Sequence, residues 1–231
     1  MPDSWTRALD AYSYPVNLRD YERAHEFPGF LNMIIVGDRN STITFENHYQ
    51  ETAPTNIAAF FEVVFWKLYS QKSRCQKGTT RIVDFVQEHR ITPRQLWEVV
   101  HQFVESQTRE NLKRIRKLLG IKTDVLAIPL TLPALASPKI IPMIDNQVAR
   151  WVNHNAADHN INRINKLSPF KMSYTSLRDN DFSNYLDWVA WCQEVAHILI
   201  KFTGEEWRAR DVEMAVFTAQ RKGMVLNVLP Q

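Results

Sequence analysis

The sequence predicts a mainly α-helical protein. Only 6 of the 231 residues are glycine, which is too few for an all-β protein rich in tight turns. From residue 55 onward, apolar residues recur at helical spacing, and most of these segments begin with a helix-capping residue. The best β signal covers residues 30–46, where turn residues separate two β-branched runs. That pattern predicts a short N-terminal β-hairpin beside a helical body.

The composition is that of a globular protein, with 45% apolar and 23% charged residues. A net charge of +3 is weak evidence for a polyanionic partner. The two cysteines, Cys75 and Cys192, have no Cys or His at metal-ligand spacing, which argues against a disulfide scaffold, a zinc ribbon and an iron–sulfur cluster. The first 15 residues carry charges and have no apolar core, so no signal peptide is expected, and there is no run of about 18 apolar residues. We therefore expect a soluble, cytoplasmic protein with no membrane segment and no cofactor.

In the first half of the chain, residues 1–29 are polar, aromatic and interrupted by prolines, so they are predicted to be irregular. In the hairpin, Ile34–Val36 is expected to pair with Thr42–Phe45. Helices are predicted over residues 57–71, 81–90, 96–106 and 109–119. The first of these is apolar on nearly every face and should be central. Gly120 is placed to end the last one with a positive φ.

In the second half, a helix is predicted over residues 124–136, capped by Thr123 and kinked or broken by Pro129. Residues 139–144 should be extended because Pro142 disfavours helix. Asp145 then caps a helix that begins at residue 146. Residues 153–180 are predicted to be a long loop. Helices over residues 181–202 and 209–222 complete the chain.

The helix before Gly120 is strongly basic. Its cations are Arg109, Lys113, Arg114, Arg116 and Lys117, and Lys122 follows the turn. Backbone N–H groups at a helix N-terminus just after such a turn can bind phosphate. The charge pattern is what a contact to the backbone of duplex DNA needs, although an ordinary solvated helix face would have the same pattern.

Two segments resemble motifs of the helix-hairpin-helix DNA glycosylase superfamily. Residues 118–123, Leu-Leu-Gly-Ile-Lys-Thr, resemble its L-x-G-[IV]-G-x-K-T-A hairpin. Residues 144–150, Ile-Asp-Asn-Gln-Val-Ala-Arg, resemble the apolar-[IV]-D-x-x-[IV]-x-R segment that follows in that family. The segment RDVEMAVF at residues 210–217 is also similar to one near the end of bacterial members. The second hairpin glycine is missing here, so Lys122 aligns either with the lysine nucleophile of the family or with a glycine position.

The resemblance implies a two-lobed helical fold with a base-binding cleft. Residues 1–54 and 154–231 would form one lobe, and residues 55–153 the other. The implied partner is double-stranded DNA. Its implied contacts are Gly120, Thr123, Lys113, Arg114, Arg116, Lys117 and Arg150.

The resemblance also implies roles in catalysis. Asp145 would stabilise the oxocarbenium-like sugar or orient the attacking water, a role compatible with capping a helix. Lys122 could attack the sugar carbon and form a Schiff base that leads to strand cleavage; the alternative is a surface lysine. Candidates for the aromatic sandwich around a flipped base are Trp66, Tyr69, Trp151 and His154. Core packing is the alternative for these aromatic residues.

Two non-enzymatic alternatives stay open, one of which is a helical protein-interaction protein with no nucleic-acid role. The chain could be a catalytically degenerate relative that serves as a non-enzymatic DNA-binding or protein-interaction module, because the hairpin is imperfect. His154, Asp158 and His159 could ligate a metal, but no predicted element fixes their spacing, so no metal site is predicted.

Overall fold

The computed structural model describes residues 3–122, 126–159, 167–170 and 179–229. Over these ranges the chain forms ten α-helices and one two-stranded antiparallel sheet, which confirms the mainly α class. The helices are α1 Asp3–Asp10, α2 Arg39–Thr52, α3 Ile57–Leu68, α4 Ser73–Glu88, α5 Pro93–Glu105, α6 Arg109–Leu118, α7 Ala127–Ala136, α8 Asn146–Asn155, α9 Asp179–Thr203 and α10 Ala209–Lys222. The strands are β1 Val16–Asn17 and β2 Ile34–Ile35. None of the described helices has the length and apolar character needed to cross a membrane.

The chain divides into two compact units. The first comprises residues 1–13, 124–127 and 137–231 and contains α1, α8, α9 and α10. The second comprises residues 14–123 and 128–136 and contains the sheet, α2 to α6 and nearly all of α7. These boundaries are not those of the lobes implied by the resemblance, and the lobe assignment remains a prediction.

The first unit is built around α10. This helix packs against α1, α8 and α9, and every residue from Ala209 to Ala219 is buried. Four of these buried positions are charged, counting the capping residue Arg208. They form two ion pairs one turn long: Arg208 with Asp211 at 2.9 Å, and Arg210 with Glu213. Pairing is what permits these charges inside a helical core.

The second unit is built around α3, as a sequence that is apolar on nearly every face predicts. Every residue from Ala58 to Trp66 is buried, and the helix packs against α2 and α4. One buried residue, Glu62, is charged. Its carboxylate accepts a hydrogen bond from the backbone N–H of Leu31 and lies 3.2 Å from His48 Nε2. Glu62 thereby ties the segment before β2 to the central helix.

The N-terminal segment is more ordered than predicted. Residues 3–10 form helix α1, which packs on α10 in the first unit. Trp5, Ala8 and Leu9 lie on one face of α1 and are buried, and Trp5 Nε1 donates to the Asn227 carbonyl at 2.9 Å. The prediction of an irregular N-terminus was wrong because contacts with a distant part of the chain stabilise this helix.

The predicted hairpin partner was also wrong. Strand β2 pairs with β1, and Thr42–Phe45 lies within α2. Asp38 caps α2 by accepting a hydrogen bond from the Ser41 backbone N–H at 2.8 Å. The Thr42 hydroxyl donates to the Asp38 carbonyl, so a β-branched residue also supports the helical turn. The turn-like residues 37–40 therefore begin a helix.

Two helix boundaries differ from their predicted positions. Helix α4 begins at Ser73, so the predicted start after Gly78–Thr80 was wrong. Helix α7 begins at Ala127, so Pro129 lies in its first turn. The N–H groups of a first turn have no acceptor within the helix, so a proline there removes no helical hydrogen bond. The predicted cap Thr123 and most of the predicted loop 153–180 lie outside the described residues.

Candidate functional site

Helix α6 is amphipathic, with a buried apolar face and a basic exposed face. Leu112 and Ile115 are buried in the second unit, where α6 packs against α5. Thr108 caps the helix by accepting from the Asn111 backbone N–H at 3.2 Å. The Asn111 side chain donates to the carbonyls of Gln102 and Ser106 at the end of α5. These contacts fix the direction in which the cations of α6 project.

The predicted DNA contacts on α6 differ in exposure. Lys113, Arg114 and Lys117 are exposed, whereas Arg116 is half-buried. Lys113 lies 3.7 Å from Glu110, and Arg114 donates to the Gln102 amide oxygen at 2.9 Å. Lys117 forms no ion pair with any residue in the described ranges. Lys117 is therefore the α6 ammonium group most accessible to an anion.

Gly120 ends α6 with a φ of +63°, as predicted. Its backbone N–H donates to the Lys117 carbonyl at 3.2 Å, and the Ile121 N–H donates to the Arg116 carbonyl at 3.0 Å. The turn lies directly on the ring of Phe85 from α4, because a Cβ atom added at residue 120 would be 2.3 Å from Phe85 Cγ. Glycine is required here both by the backbone conformation and by this close approach.

An open groove of about 580 Å³ lies beside this turn, between it and α4. Its lining includes Gly120, Phe85 and three cations, Lys77, Arg81 and Lys122. It also includes three carboxylates, Glu22, Asp84 and Glu88. Lys122, a predicted catalytic residue, is exposed in this groove and has no ion-pair partner among the described residues. The groove therefore joins the predicted hairpin turn to α4.

Gly120→Ala is expected to destabilise the second unit more than a glycine replacement at an open helix end. The left-handed conformation costs a non-glycine residue about 1–2 kcal/mol, and the clash with Phe85 adds about 1–3 kcal/mol of overpacking. Gly223→Ala is the matched control, because Gly223 ends α10 at φ +65° with nothing within 4 Å. Urea unfolding of both variants measures the difference. Equal destabilisation would contradict the packing of the turn on Phe85.

Asp145 caps α8, as predicted. Its Oδ1 accepts hydrogen bonds at 2.9 Å from the backbone N–H groups of Gln147 and Val148. Within the described part of the chain, the second carboxylate oxygen, Oδ2, accepts no hydrogen bond. The side chain is partly buried. Capping therefore occupies one oxygen and leaves the other available to a substrate or a water molecule.

The segment before Asp145 is held in place by α9. The Pro142 carbonyl accepts from the Tyr185 hydroxyl at 3.1 Å, and the Met143 carbonyl accepts from Trp188 Nε1 at 3.0 Å. Arg150, a predicted DNA contact, is exposed on α8 in the same unit. Buried hydrogen bonds therefore hold the backbone that leads to Asp145, and a fixed carboxylate is what electrostatic preorganisation requires.

The predicted base-pocket residues in the second unit are engaged in packing or hydrogen bonds. Trp66 is buried, and its ring lies 5.0 Å from Tyr14 and 5.9 Å from Phe45. The Tyr69 hydroxyl donates to the Asp20 carboxylate at 2.7 Å, and this hydrogen bond raises the pKa of Tyr69. Trp66 belongs to the core, whereas Tyr69 is partly exposed.

The other two base-pocket candidates lie in the first unit. Trp151 is buried, with ring centroids 4.9 Å from His159 and 5.9 Å from Trp191. Burial lowers the pKa of His159. His154 is exposed on α8. Among the described residues, no three His, Cys, Asp or Glu side chains converge as a metal site would require.

Sequence reasoning missed the contribution of α4 to the groove. Lys77 and Arg81 are separated by four residues, and Arg74 precedes Lys77 by three. This spacing places three cations on one helical face and could have been read from the sequence. It was obscured because the helix was expected to begin after Gly78.

Comparisons with known proteins identify no relative. No protein-family model matches the chain, and no curated protein or solved structure matches it.

Proposed function

We propose that the chain binds duplex DNA and hydrolyses the N-glycosidic bond of a flipped, altered base, with Asp145 as the carboxylate that stabilises the sugar cation. The observation that carries this proposal is the α6 turn: exposed cations precede a left-handed Gly120, and Lys122 follows it. The resemblance of residues 118–123 and 144–150 to DNA glycosylase motifs supplies the reaction class.

The charges on α6 support binding to a nucleic-acid backbone. Lys113, Arg114, Lys117 and Lys122 are exposed. Lysine and arginine that neutralise phosphates release condensed counterions, which makes binding steeply dependent on salt. Such contacts orient a protein on DNA without reading its sequence. Recognition of the altered base would then come from flipping it out of the helix.

The state of Asp145 supports a role in bond cleavage. As the glycosidic bond breaks, positive charge develops on the sugar, and a fixed carboxylate nearby lowers the energy of that state. The cap hydrogen bonds to Oδ1 hold the side chain in one orientation. The second oxygen would face the sugar or the attacking water.

The exposure of Lys122 favours a phosphate contact over a nucleophile. An amine becomes nucleophilic when its pKa is depressed, typically by desolvation, and this side chain is exposed. The proposal is therefore a hydrolytic glycosylase without strand cleavage. Trapping a covalent enzyme–DNA adduct with borohydride, and losing that adduct in Lys122→Gln, would instead establish the nucleophile role.

A second candidate function is a DNA-binding module without enzymatic activity. It is favoured by the absence of the second glycine of the family hairpin motif. It is also favoured by the capping role of Asp145, which explains that residue without any chemistry. Both candidates share the DNA interface and differ only in base release.

DNA binding over a range of salt concentrations tests the shared interface. We expect the native chain to bind duplex DNA with a steep salt dependence, and Lys113→Gln/Lys117→Gln to lower the slope of log K against log salt by about 1.8. Arg7→Gln/Lys201→Gln is the charge-matched control, because both residues are exposed in the first unit. Failure of the native chain to bind DNA would contradict both candidates.

A further inference from the structure

The first half of α4 carries a row of exposed cations that the proposed function does not use. Arg74, Lys77 and Arg81 are spaced three and four residues apart, so they project from one face of the helix. None of them forms an ion pair or a side-chain hydrogen bond with another residue in the described part of the chain. Three cations without ion-pair partners on one helical face favour a polyanionic ligand.

Two of these cations line the groove beside the hairpin turn. Lys77 and Arg81 share it with Gly120 and Lys122. The row on α4 is therefore continuous with the turn to which a DNA backbone contact is already assigned. A ligand that lies along this groove contacts both elements.

The acidic residues of the groove give it a direction. Along α4 the cations come first, and Asp84 and Glu88 follow. Asp84 is paired with Arg23, which also pairs with Glu26, so these three side chains together keep a negative charge. Glu88 has no ion-pair partner among the described residues. It lies about 10 Å beyond Arg81, at the helical rise of about 1.5 Å per residue. A polyanion is therefore attracted to the first half of α4 and repelled from its end.

The length of the row fits a polymer backbone. Arg74 and Arg81 are separated by about 10 Å along the helix axis. One DNA strand presents a phosphate about every 3.4 Å of duplex length, so the row spans about three phosphates. The groove is open and its cations are exposed, which suits a backbone that passes across a surface.

We propose that Arg74, Lys77 and Arg81 form a second contact to the sugar–phosphate backbone of duplex DNA, adjacent to the contact at Gly120 and Lys122. This inference rests on the proposed function, because it takes DNA as the ligand of the hairpin turn. Phosphate contacts carry no sequence information, so this row of cations should increase affinity equally for all DNA sequences. Its position on α4 orients the duplex along the groove.

The test is DNA binding by Lys77→Gln/Arg81→Gln over a range of salt concentrations. Removal of two phosphate contacts should lower the slope of log K against log salt by about 1.8 and weaken binding about tenfold at low salt. Both side chains are exposed, so circular dichroism and the urea midpoint should match those of the native chain. Arg7→Gln/Lys201→Gln removes the same charge from the other unit and should have a much smaller effect.

The outcomes separate this inference from the proposed function. If Lys113→Gln/Lys117→Gln weakens binding while Lys77→Gln/Arg81→Gln does not, the row on α4 does not contact DNA. The proposed DNA contact of α6 and its turn is then retained. If Lys77→Gln/Arg81→Gln and the control pair weaken binding equally, binding depends only on net charge. This result would also contradict a specific DNA contact by the row on α4. If the native chain binds no DNA, both the proposed function and the proposed DNA contact by the row on α4 are contradicted.

Discussion

Asp145→Asn is expected to reduce base release about 100-fold or more while leaving the protein folded. Asparagine caps a helix about as well as aspartate, so the stability of α8 should change by less than about 0.5 kcal/mol. The substitution removes the negative charge that would stabilise the sugar cation. Single-turnover rates of base release, measured beside urea unfolding curves, separate the two effects.

Two further variants make this result specific. Asp145→Ala removes the cap as well as the charge, so it should lose the same activity and in addition about 1 kcal/mol of stability. Glu205→Gln removes one exposed carboxylate from the same unit and should leave the rate unchanged. Activity that survives in Asp145→Asn would show that Asp145 is only a helix cap.

Arg210→Ala is expected to destabilise the first unit by about 3–5 kcal/mol. Arg210 is 1% exposed on the central helix α10 and is paired with Glu213, which is also buried. Truncation leaves the Glu213 carboxylate without this partner in the core. The free energy of unfolding, measured in urea, gives the size of the effect.

The double variant Arg210→Met/Glu213→Leu should recover most of the lost stability, because it removes both charges and keeps apolar volume. The exposed pair Arg94–Glu98 on α5 provides the control. Its side chains are 85% and 54% exposed, so Arg94→Ala should cost less than about 1 kcal/mol. If the double variant were no more stable than Arg210→Ala, the buried pair would not be the source of the effect.

Local sequence signals predicted the helices that have strong caps. Thr92 and Gln95 form a capping box at the start of α5, and Asp145 caps α8, as predicted, with two backbone hydrogen bonds. Gly120 and Gly223 both adopt the left-handed conformation at helix ends. In each case a side chain or a glycine satisfies a requirement of the adjacent backbone, so a few neighbouring residues contain the information.

Predictions failed where distant residues decide the structure and, in α2, where a local helix cap was overlooked. Helix α1 is short and polar, and its burial against α10 cannot be read from residues 3–10. Residues 42–45 have a β-branched sequence, yet the Asp38 cap places them in a helix. The charges of α10 have a spacing typical of surface ion pairs, and only the packing of three helices around α10 shows that they are buried.

For the candidate site, sequence and structure supply different parts. The turn at Gly120, the basic helix α6 and the cap at Asp145 were predicted from residue types and spacing. Trp66 and Trp151 were assigned to a base pocket from residue type alone, and their burial among other aromatic rings depends on the fold. Lys77 and Arg81 join the groove because α4 lies against the Gly120 turn, which is a tertiary contact.

The most direct measurement is base release by the native chain from duplex oligonucleotides that carry uracil, oxidised purines or alkylated bases, with undamaged duplex as the control. We expect release from at least one of the altered duplexes and none from undamaged DNA. Absence of release from every altered base, with salt-dependent DNA binding intact, would contradict the glycosylase proposal and leave a DNA-binding module.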